Sequence, residues 1–326
     1  MNNKTILPVA ASKELKNKKP LKTKFQEQDI VLFRHGMGIS AFLDVCPHRG
    51  IPLSSGCLEN GNIICPYHNW KFNSEGILID VPGDPNFKSP SSPLVEIFFA
   101  KEFKGIIWLG RYDFDTNKLF SPSVNSTHEQ ATIIRKIKAN KIDIAENFLD
   151  ALHTHSIHTG IIRTSKAMNN CSVTIRNVED GYEAEYVEDK KQTGVLSQLF
   201  GNKIKKSIGR IRYPGVIEIE YISDSEIEMS VVIYVVEECN NSCKLILKTY
   251  LKRSKIPFIF KALLLAPFQL LVLWQDKKIL EKQSRSLELN PKFKPITRKT
   301  DIMRKYIEKV YKKNFEECLI TRNIKL

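Results

Sequence analysis

The chain of 326 residues is long enough for two ordinary domains or one large one, and 42% hydrophobic with 26% charged residues excludes an intrinsically disordered protein. Seven cysteines are an odd number in a long chain, which argues against a disulfide scaffold and for a reducing compartment. The net charge of +14 admits a nucleic acid, an anionic membrane surface or an acidic protein as partner, but the Lys and Arg are scattered, densest at 13–24, 203–212 and 292–313. A solvated basic surface explains most of them, and an acidic redox partner is the sharper reading; nucleic acid is not called for. Residues 1–8 hold no apolar signal-peptide core, so a cytoplasmic location is expected.

Residues 1–120 read as a small all-β domain. Short apolar or alternating runs at 29–34, 39–45, 62–65, 70–72, 95–99 and 106–109 are separated by Gly50, Pro52, Gly56, Gly61, Gly76, Pro82 and Gly83. Just after two of these strands stand Cys46-Pro47-His48 and Cys65-Pro66-Tyr67-His68, a C-x-H pair and a C-x2-H pair with sixteen residues between them. Thiolates suit soft iron–sulfur chemistry and imidazole suits borderline iron. Two Cys on one iron and two His on the other is the Rieske [2Fe–2S] arrangement, an electron relay that itself carries out no substrate chemistry. A structural zinc site is the rival, but its ligands usually pair as C-x2-4-C and H-x3-5-H, whereas here each half supplies one of each. Gly36-Met37-Gly38 lacks the remaining glycine of a dinucleotide fingerprint, so no flavin or nicotinamide domain fits and electrons must come from a separate protein.

Residues 121–326 form the second expected domain. A connection at 112–130 leads to a strand at 132–137, a helix at 142–152, and a long antiparallel section at 172–178, 182–187, 216–222, 226–236 and 245–251. Glu179-Asp180-Gly181 is a hairpin turn, and Asn240-Asn241-Ser242 between Cys239 and Cys243 is another. The tail reads as helix at 254–282 and as an amphipathic helix at 300–318. The run 256–274 approaches bilayer-spanning length, but Pro257, Pro267 and Lys261 argue against a simple span. A buried helix pair, or a hydrophobic cover over a substrate cavity, is the preferred reading, and membrane contact is not favoured.

Three of the seven histidines fall within six positions, at His153, His155 and His158, preceded by Asn147 and Asp150. His153 and His158 would diverge by about 140° on a regular helix, so both face one metal only if the helix ends or loosens between them. Two His and one carboxylate make the facial triad of non-haem Fe(II) oxygenases. Asp276 is the candidate carboxylate and Glu281 its rival, while His155 suits neither role.

With both motifs in view, the chain resembles the Rieske non-haem iron oxygenases, the aromatic-ring-hydroxylating α-subunits and Rieske monooxygenases, over nearly its whole length. Cys46-Pro47-His48-Arg49-Gly50 and Cys65-Pro66-Tyr67-His68-Asn69-Trp70 match the cluster loops, with Asn69 where Gly is common. Asn147 with Asp150-x2-His153-x4-His158 matches the mononuclear iron motif, and Gln275-Asp276 the late carboxylate segment. The resemblance implies an α+β fold: a Rieske domain joined to a helix-grip (START-like) catalytic domain whose antiparallel sheet wraps a long C-terminal helix. It implies a homotrimer in which Asp150 bridges a cluster histidine, His68, of one subunit to His153 of the next. It implies that His153, His158 and Asp276 hold iron, that Cys46, His48, Cys65 and His68 hold the cluster, and that a ferredoxin or flavin reductase supplies electrons. The expected reaction is mono- or dioxygenation, or oxidative dealkylation, of an apolar or ring-containing small molecule. Phe258, Phe260, Leu263, Leu264, Phe268 and Leu271 are expected to line its pocket. A Rieske electron carrier without oxygenase activity is the alternative.

Overall fold

The computed structural model describes residues 5–36, 38–124, 128–163, 168–190, 194, 204–224, 226–239, 241–255 and 257–326. Residues 1–4, Met37, Lys203, Asn240 and Ile256, which carried parts of the sequence reading, lie outside them. The chain divides into two compact units, one of residues 1–121 with 236–238 and one of residues 122–235 with 239–326.

The first unit is all β. Strands β1 (Ile6–Ala11), β2 (Leu21–Phe25), β3 (Gln28–His35), β4 (Gly38–Leu43), β9 (Ile97–Phe103) and β10 (Ile106–Gly110) form an antiparallel sheet in the order β1-β10-β9-β4-β3-β2. Strands β5 (Cys57–Glu59), β6 (Asn62–Ile64), β7 (Lys71–Phe72) and β8 (Leu78–Asp80) form a smaller sheet in sequential order. Val31, Phe33, Phe42, Leu53, Ile63 and Phe72 pack with Cys46 and Cys65 in one apolar cluster, so the two thiols sit at the edge of a core. Strands β1, β2, β5 and β8 were not picked out from the sequence: β1 is interrupted by Pro8, and β2, β5 and β8 are short or mixed in pattern.

The second unit is built on an eight-stranded antiparallel sheet. Its strands are β11 (His128–Ile137), β12 (Asn170–Val178), β13 (Gly181–Glu188), β14 (Lys206–Arg212), β15 (Val216–Ile222), β16 (Ile227–Cys239), β17 (Ser242–Lys252) and β18 (Leu319–Lys325). Their order is β11-β17-β16-β15-β14-β13-β12-β18. Helices α1 (Lys141–Leu149), α2 (Thr154–Ile157), α3 (Phe258–Leu289) and α4 (Arg304–Tyr311) accompany the sheet. Ile144, Leu149, Ile175, Tyr182, Ile211, Leu273, Leu280, Tyr306 and Val310 belong to one buried cluster, which joins α1, α3 and α4 to the sheet.

Three expectations change here. The basic stretch around 204–212 is strand β14, and Arg210 is drawn inward by Glu183 at 2.5 Å, Glu220 at 2.8 Å and Glu218 at 3.2 Å. The helix expected over 300–318 is only α4, and the chain then turns into β18, whose alternating burial places it on the sheet edge beside β12. The apolar run is one continuous helix rather than a buried pair. Pro257 stands at its N-cap, Pro267 is accommodated inside it, and Leu265, Leu273, Asp276, Leu280 and Ser284 bury its inner face.

Gly56 leads into β5, and a Cβ there would meet the Ile64 carbonyl oxygen at 1.9 Å, backbone against backbone. Gly56→Ala must therefore push β5 from β6 next to both thiols. We expect a loss of about 1–3 kcal/mol, read as a fall of several degrees in the melting temperature of the first unit.

Candidate metal centres

The two Cys/His loops of the first unit are copies of one hydrogen-bond plan. Cys46 N–H donates to Ile51 O and Cys65 N–H to Trp70 O, both at 2.9 Å. Gly50 N–H returns to Cys46 O at 2.9 Å and Asn69 N–H to Cys65 O at 3.1 Å. The closing residue of each loop needs positive φ, +74° at Gly50 and 56° at Asn69. Asn tolerates that region better than most side chains, which explains its place in the second loop.

Within this frame Cys46 and Cys65 are buried while His48 is half-buried and His68 exposed. The His48 and His68 rings lie 4.6 Å apart, and Trp70 stacks on His48 at 4.3 Å with the planes 2° from parallel. Burial and the neighbouring Cys65 push the Cys46 thiol up to about 11. Such thiols ionise when a cation binds them, so the pair fits a metal cluster and is poorly suited to act as a free nucleophile. Asp44 takes Ser54 N–H at 2.7 Å and Ser54 Oγ at 2.6 Å, tying the segment after the first pair to the end of β4. Sequence reasoning passed over Asp44, because a carboxylate that bonds a backbone N–H leaves no pattern.

In the second unit, α1 is capped by Asn140, whose side chain accepts Asp143 N–H, and ends at Leu149. Asp150 leaves the helix with ψ 115°, and its carboxylate accepts Leu152 N–H at 2.8 Å and His153 N–H at 3.2 Å. The short α2 then separates His153 from His158. The helix end required by the five-residue spacing is therefore at Asp150, earlier than the expected 142–152 helix.

The Nε2 atoms of His153 and His158 lie 3.2 Å apart, and Asp276 Oδ1 lies 3.5 Å from the first and 3.0 Å from the second. His153 Nδ1 donates to Asp150 O at 2.6 Å and His158 Nδ1 to Gln275 Oε1 at 2.9 Å. With both Nδ1 atoms protonated, both Nε2 atoms turn lone pairs to the same point, and Asp276 Oδ1 accepts no hydrogen bond. Three lone pairs facing one another repel unless a cation lies between them. Ligand atoms on adjacent corners of an octahedron with bonds of about 2.1 Å are about 3.0 Å apart, close to the spacing here. The donor set therefore fits one divalent cation bound on a single face.

Without a cation, protonation relieves part of this repulsion. Burial opposes ionisation of Asp276, but His153, His158 and Asn147 outweigh it and lower the carboxyl to about 2. Burial likewise pushes His158 down, while Asp276 and Gln275 push it further up, to a net rise above the ordinary imidazole value. Asn147 Nδ2 is buried near this carboxylate without a full hydrogen bond of its own.

Glu281, the rival carboxylate, instead accepts Lys138 N–H at 3.2 Å and pairs with Lys277 at 3.7 Å. His155 stays out of the group. The contact expected from Asp150 to His153 is made by the backbone carbonyl. The carboxylate stands 3.8 Å from Nδ1, engaged with backbone N–H groups. Gln275 was quoted from the sequence without a role, because adjacent helical residues point about 100° apart and do not suggest joint action on one histidine.

A cavity of about 170 Å³ opens onto the His/His/Asp group. Phe148, Ile219, Tyr221, Val231 and Leu247 line it, with Leu265, Gln269, Val272 and Leu273 from α3. None of Phe258, Phe260, Leu263, Leu264, Phe268 and Leu271 does, contrary to expectation. The residues 3, 4, 7 and 11 positions before Asp276 share its helix face; Phe258 shares it too but lies five turns away, packed against the cluster of Met229, Leu251 and Leu265, and the other five point elsewhere. Arg163 borders the cavity but is held by Glu188 in two bonds of 2.7 and 2.9 Å.

The Rieske [2Fe-2S] domain family matches residues 5–95. Dicamba O-demethylase, oxygenase component, from Stenotrophomonas maltophilia is 30% identical over 162 residues, covering 48% of this chain and 48% of that protein. Methylxanthine N1-demethylase NdmA from Pseudomonas putida is 30% identical over 148 residues, 44% of this chain and 42% of that protein. Among the curated relatives the matches span from 19% to 48% of the relative's own length. A crystal structure of dicamba monooxygenase bound to dicamba superposes with a TM-score of 0.80 at 20% identity, covering 96% of this chain and 97% of that one. The shared fold thus extends through both units.

Gln275→Leu removes the acceptor that fixes the His158 ring. We expect divalent metal retention in the second unit to weaken about 10- to 100-fold with the visible spectrum of the first unit unchanged, measured by metal titration against a chelator.

Proposed function

We infer that this chain, which belongs to the Rieske non-haem iron oxygenases, uses O₂ and externally supplied electrons to hydroxylate or oxidatively dealkylate an apolar small molecule. The observation that carries this reading is the convergence of His153 Nε2, His158 Nε2 and Asp276 Oδ1 beside an apolar cavity. A Rieske carrier needs no such group, so the electron-transfer alternative is the weaker one. Cys46, His48, Cys65 and His68 would hold a [2Fe–2S] cluster, and His153, His158 and Asp276 a mononuclear iron. Bound there, the cluster supplies single electrons and the iron supplies open positions for O₂ activation.

The residues of the chain do the rest. Asp150 O and Gln275 Oε1 hold the imidazoles in the tautomer that leaves Nε2 free. The aliphatic wall from β11, β15, β16, β17 and α3 excludes water and orients an apolar substrate. Gln269, bonded to Thr249 at 3.0 Å, and Tyr221 are the polar groups on that wall suited to a carbonyl or hydroxyl. The Arg163 charge is satisfied by Glu188, so the pocket favours a neutral substrate over an anion. The demethylase names of two relatives lean the reading toward dealkylation.

Several further features belong to this proposal. A separate ferredoxin or flavin reductase loads the cluster through the exposed loop that carries His68. The chain assembles as a homotrimer, in which His68 of one copy reaches the Asp150 carboxylate, 36% exposed, of the next. A reducing cytoplasm is its setting, where the thiols of Cys46 and Cys65 stay reduced and able to hold a cluster.

Iron analysis of the reconstituted chain should give about three Fe per chain, against about two for a carrier. His153→Ala or His158→Ala should reduce this to about two while the cluster spectrum persists; full iron in both variants would overturn the triad. Asp150→Ala should retain both metals yet lose most coupled turnover, scored as product mass per electron consumed with a surrogate reductase. Unchanged coupling in that variant would remove Asp150 from the electron path.

A further inference from the structure

Helix α3 presents two unlike faces. Leu265, Gln269, Val272, Leu273 and Asp276 close the cavity. On the opposite face, at 100° per residue, stand Phe260, Leu263, Leu264, Pro267, Leu271 and Trp274. All six are exposed, Leu263 by 64% and Trp274 still by 52%. No polar side chain interrupts this outward arc from Ile259 to Trp274, a rise of about 22 Å. An ordinary surface helix turns charged and polar residues outward, whereas a contiguous apolar face marks a partner or a membrane.

Charge identifies the occupant. Exposed Arg253 and Lys255 stand just before α3 and, among the described residues, form no ion pair. Lys277, Lys278 and Lys282 follow the apolar arc, and Lys278 Nζ lies 3.9 Å from the centre of the Trp274 ring. The acidic groups close by are already engaged, Glu226 and Glu228 by Lys252, Glu129 by Lys261 and Glu281 by Lys277. An apolar face flanked by Lys and Arg, with Trp at its polar boundary, is the pattern of a helix lying in an anionic bilayer surface. A full crossing is excluded by the inner face, where Asp276 is buried on the histidines and Gln269 is bonded to Thr249 on the sheet.

We propose that α3 docks flat into the surface of an anionic lipid bilayer, with the 259–274 face in the acyl boundary and the flanking Arg and Lys on the headgroups. This binding requires neither metal centre nor turnover. It places lipid directly across one helix from the cavity, so an apolar substrate dissolved in the bilayer has a short path to it.

The test is co-sedimentation of the full, iron-loaded chain with vesicles of phosphatidylcholine alone and of phosphatidylcholine with phosphatidylserine. The chain should sediment with the phosphatidylserine vesicles and be released as salt rises. Leu264→Glu/Leu271→Glu should lower the bound fraction at least tenfold, and Arg253→Glu/Lys255→Glu should abolish the preference for anionic vesicles. Both double variants should keep the cluster absorbance and melting temperature of the parent chain. Failure to sediment with either vesicle overturns the proposal, as does binding that neither double variant changes. If the leucine variant instead splits an assembly of chains in light scattering and vesicles bind neither form, the face is a contact between copies and the lipid proposal is wrong.

Discussion

Two imidazole Nε2 atoms and a carboxylate oxygen are held within 3.5 Å of one another, with both Nδ1 atoms already bonded elsewhere. Left alone, that arrangement is repulsive, and the fold has to hold it in place. The chain does so with contacts that leave the three atoms themselves free. The Asp150 and Gln275 oxygens fix the outer nitrogens of the rings, and the packing of α3 fixes the carboxylate. Helix α1 must stop at Leu149 because a further helical turn would carry His153 and His158 to different sides of the axis. The Asp150 side chain enforces that stop by accepting the next two free backbone N–H groups. A single aspartate thus ends a helix, fixes one histidine through its carbonyl and leaves its carboxylate partly exposed at the same spot.

The first unit solves a different problem. Its four donors come from loops, which are ordinarily the least rigid part of a fold. Rigidity is recovered by building both loops to one plan, each closed by the Cys carbonyl and the Cys N–H, and by setting both thiols into a core with Phe33, Phe42 and Phe72. The imidazoles are left toward the surface. The buried half of the site is sulfur and the exposed half nitrogen, so a cluster held there would turn its His side toward any partner that exchanges electrons with it.

How much of this could be read beforehand follows from the range of each interaction. Candidate ligand pairs within one loop have fixed spacing, so the meeting of Cys46, His48, Cys65 and His68 was legible, as was that of His153 and His158 once a helix break was allowed. Asp276 was legible only as a lone acid at the end of an apolar run, because it lies more than a hundred residues from its partners. Its rival Glu281 differed from it by five positions and could be separated only by three-dimensional contacts. Strand β14 was missed because its alternating Lys and Arg looked like a surface patch. Three glutamates from β13 and β15 neutralise Arg210, and no local pattern announces charges that meet across strands. The C-terminal strand β18 was missed for a related reason. Its TRNIK run is polar enough for a tail and becomes a strand only because β12 offers an open edge.

Helix α3 shows where composition misleads most. A stretch that is apolar on every side reads as buried on every side, and this supported the expectation that its large side chains line the cavity. The position of Asp276 decides otherwise. Once that carboxylate must reach two histidines, the helix has no rotational freedom left, and the register assigns each remaining residue to one face or the other. Leu265, Val272 and Leu273 turn inward with it, and Phe260, Leu264 and Leu271 are carried outward whatever their hydrophobicity. The meeting of Asp276 with the two histidines thus exposes an apolar surface that packing alone would have hidden. A chain that keeps such a surface needs something to cover it, and the basic residues at both of its ends point to an anionic surface.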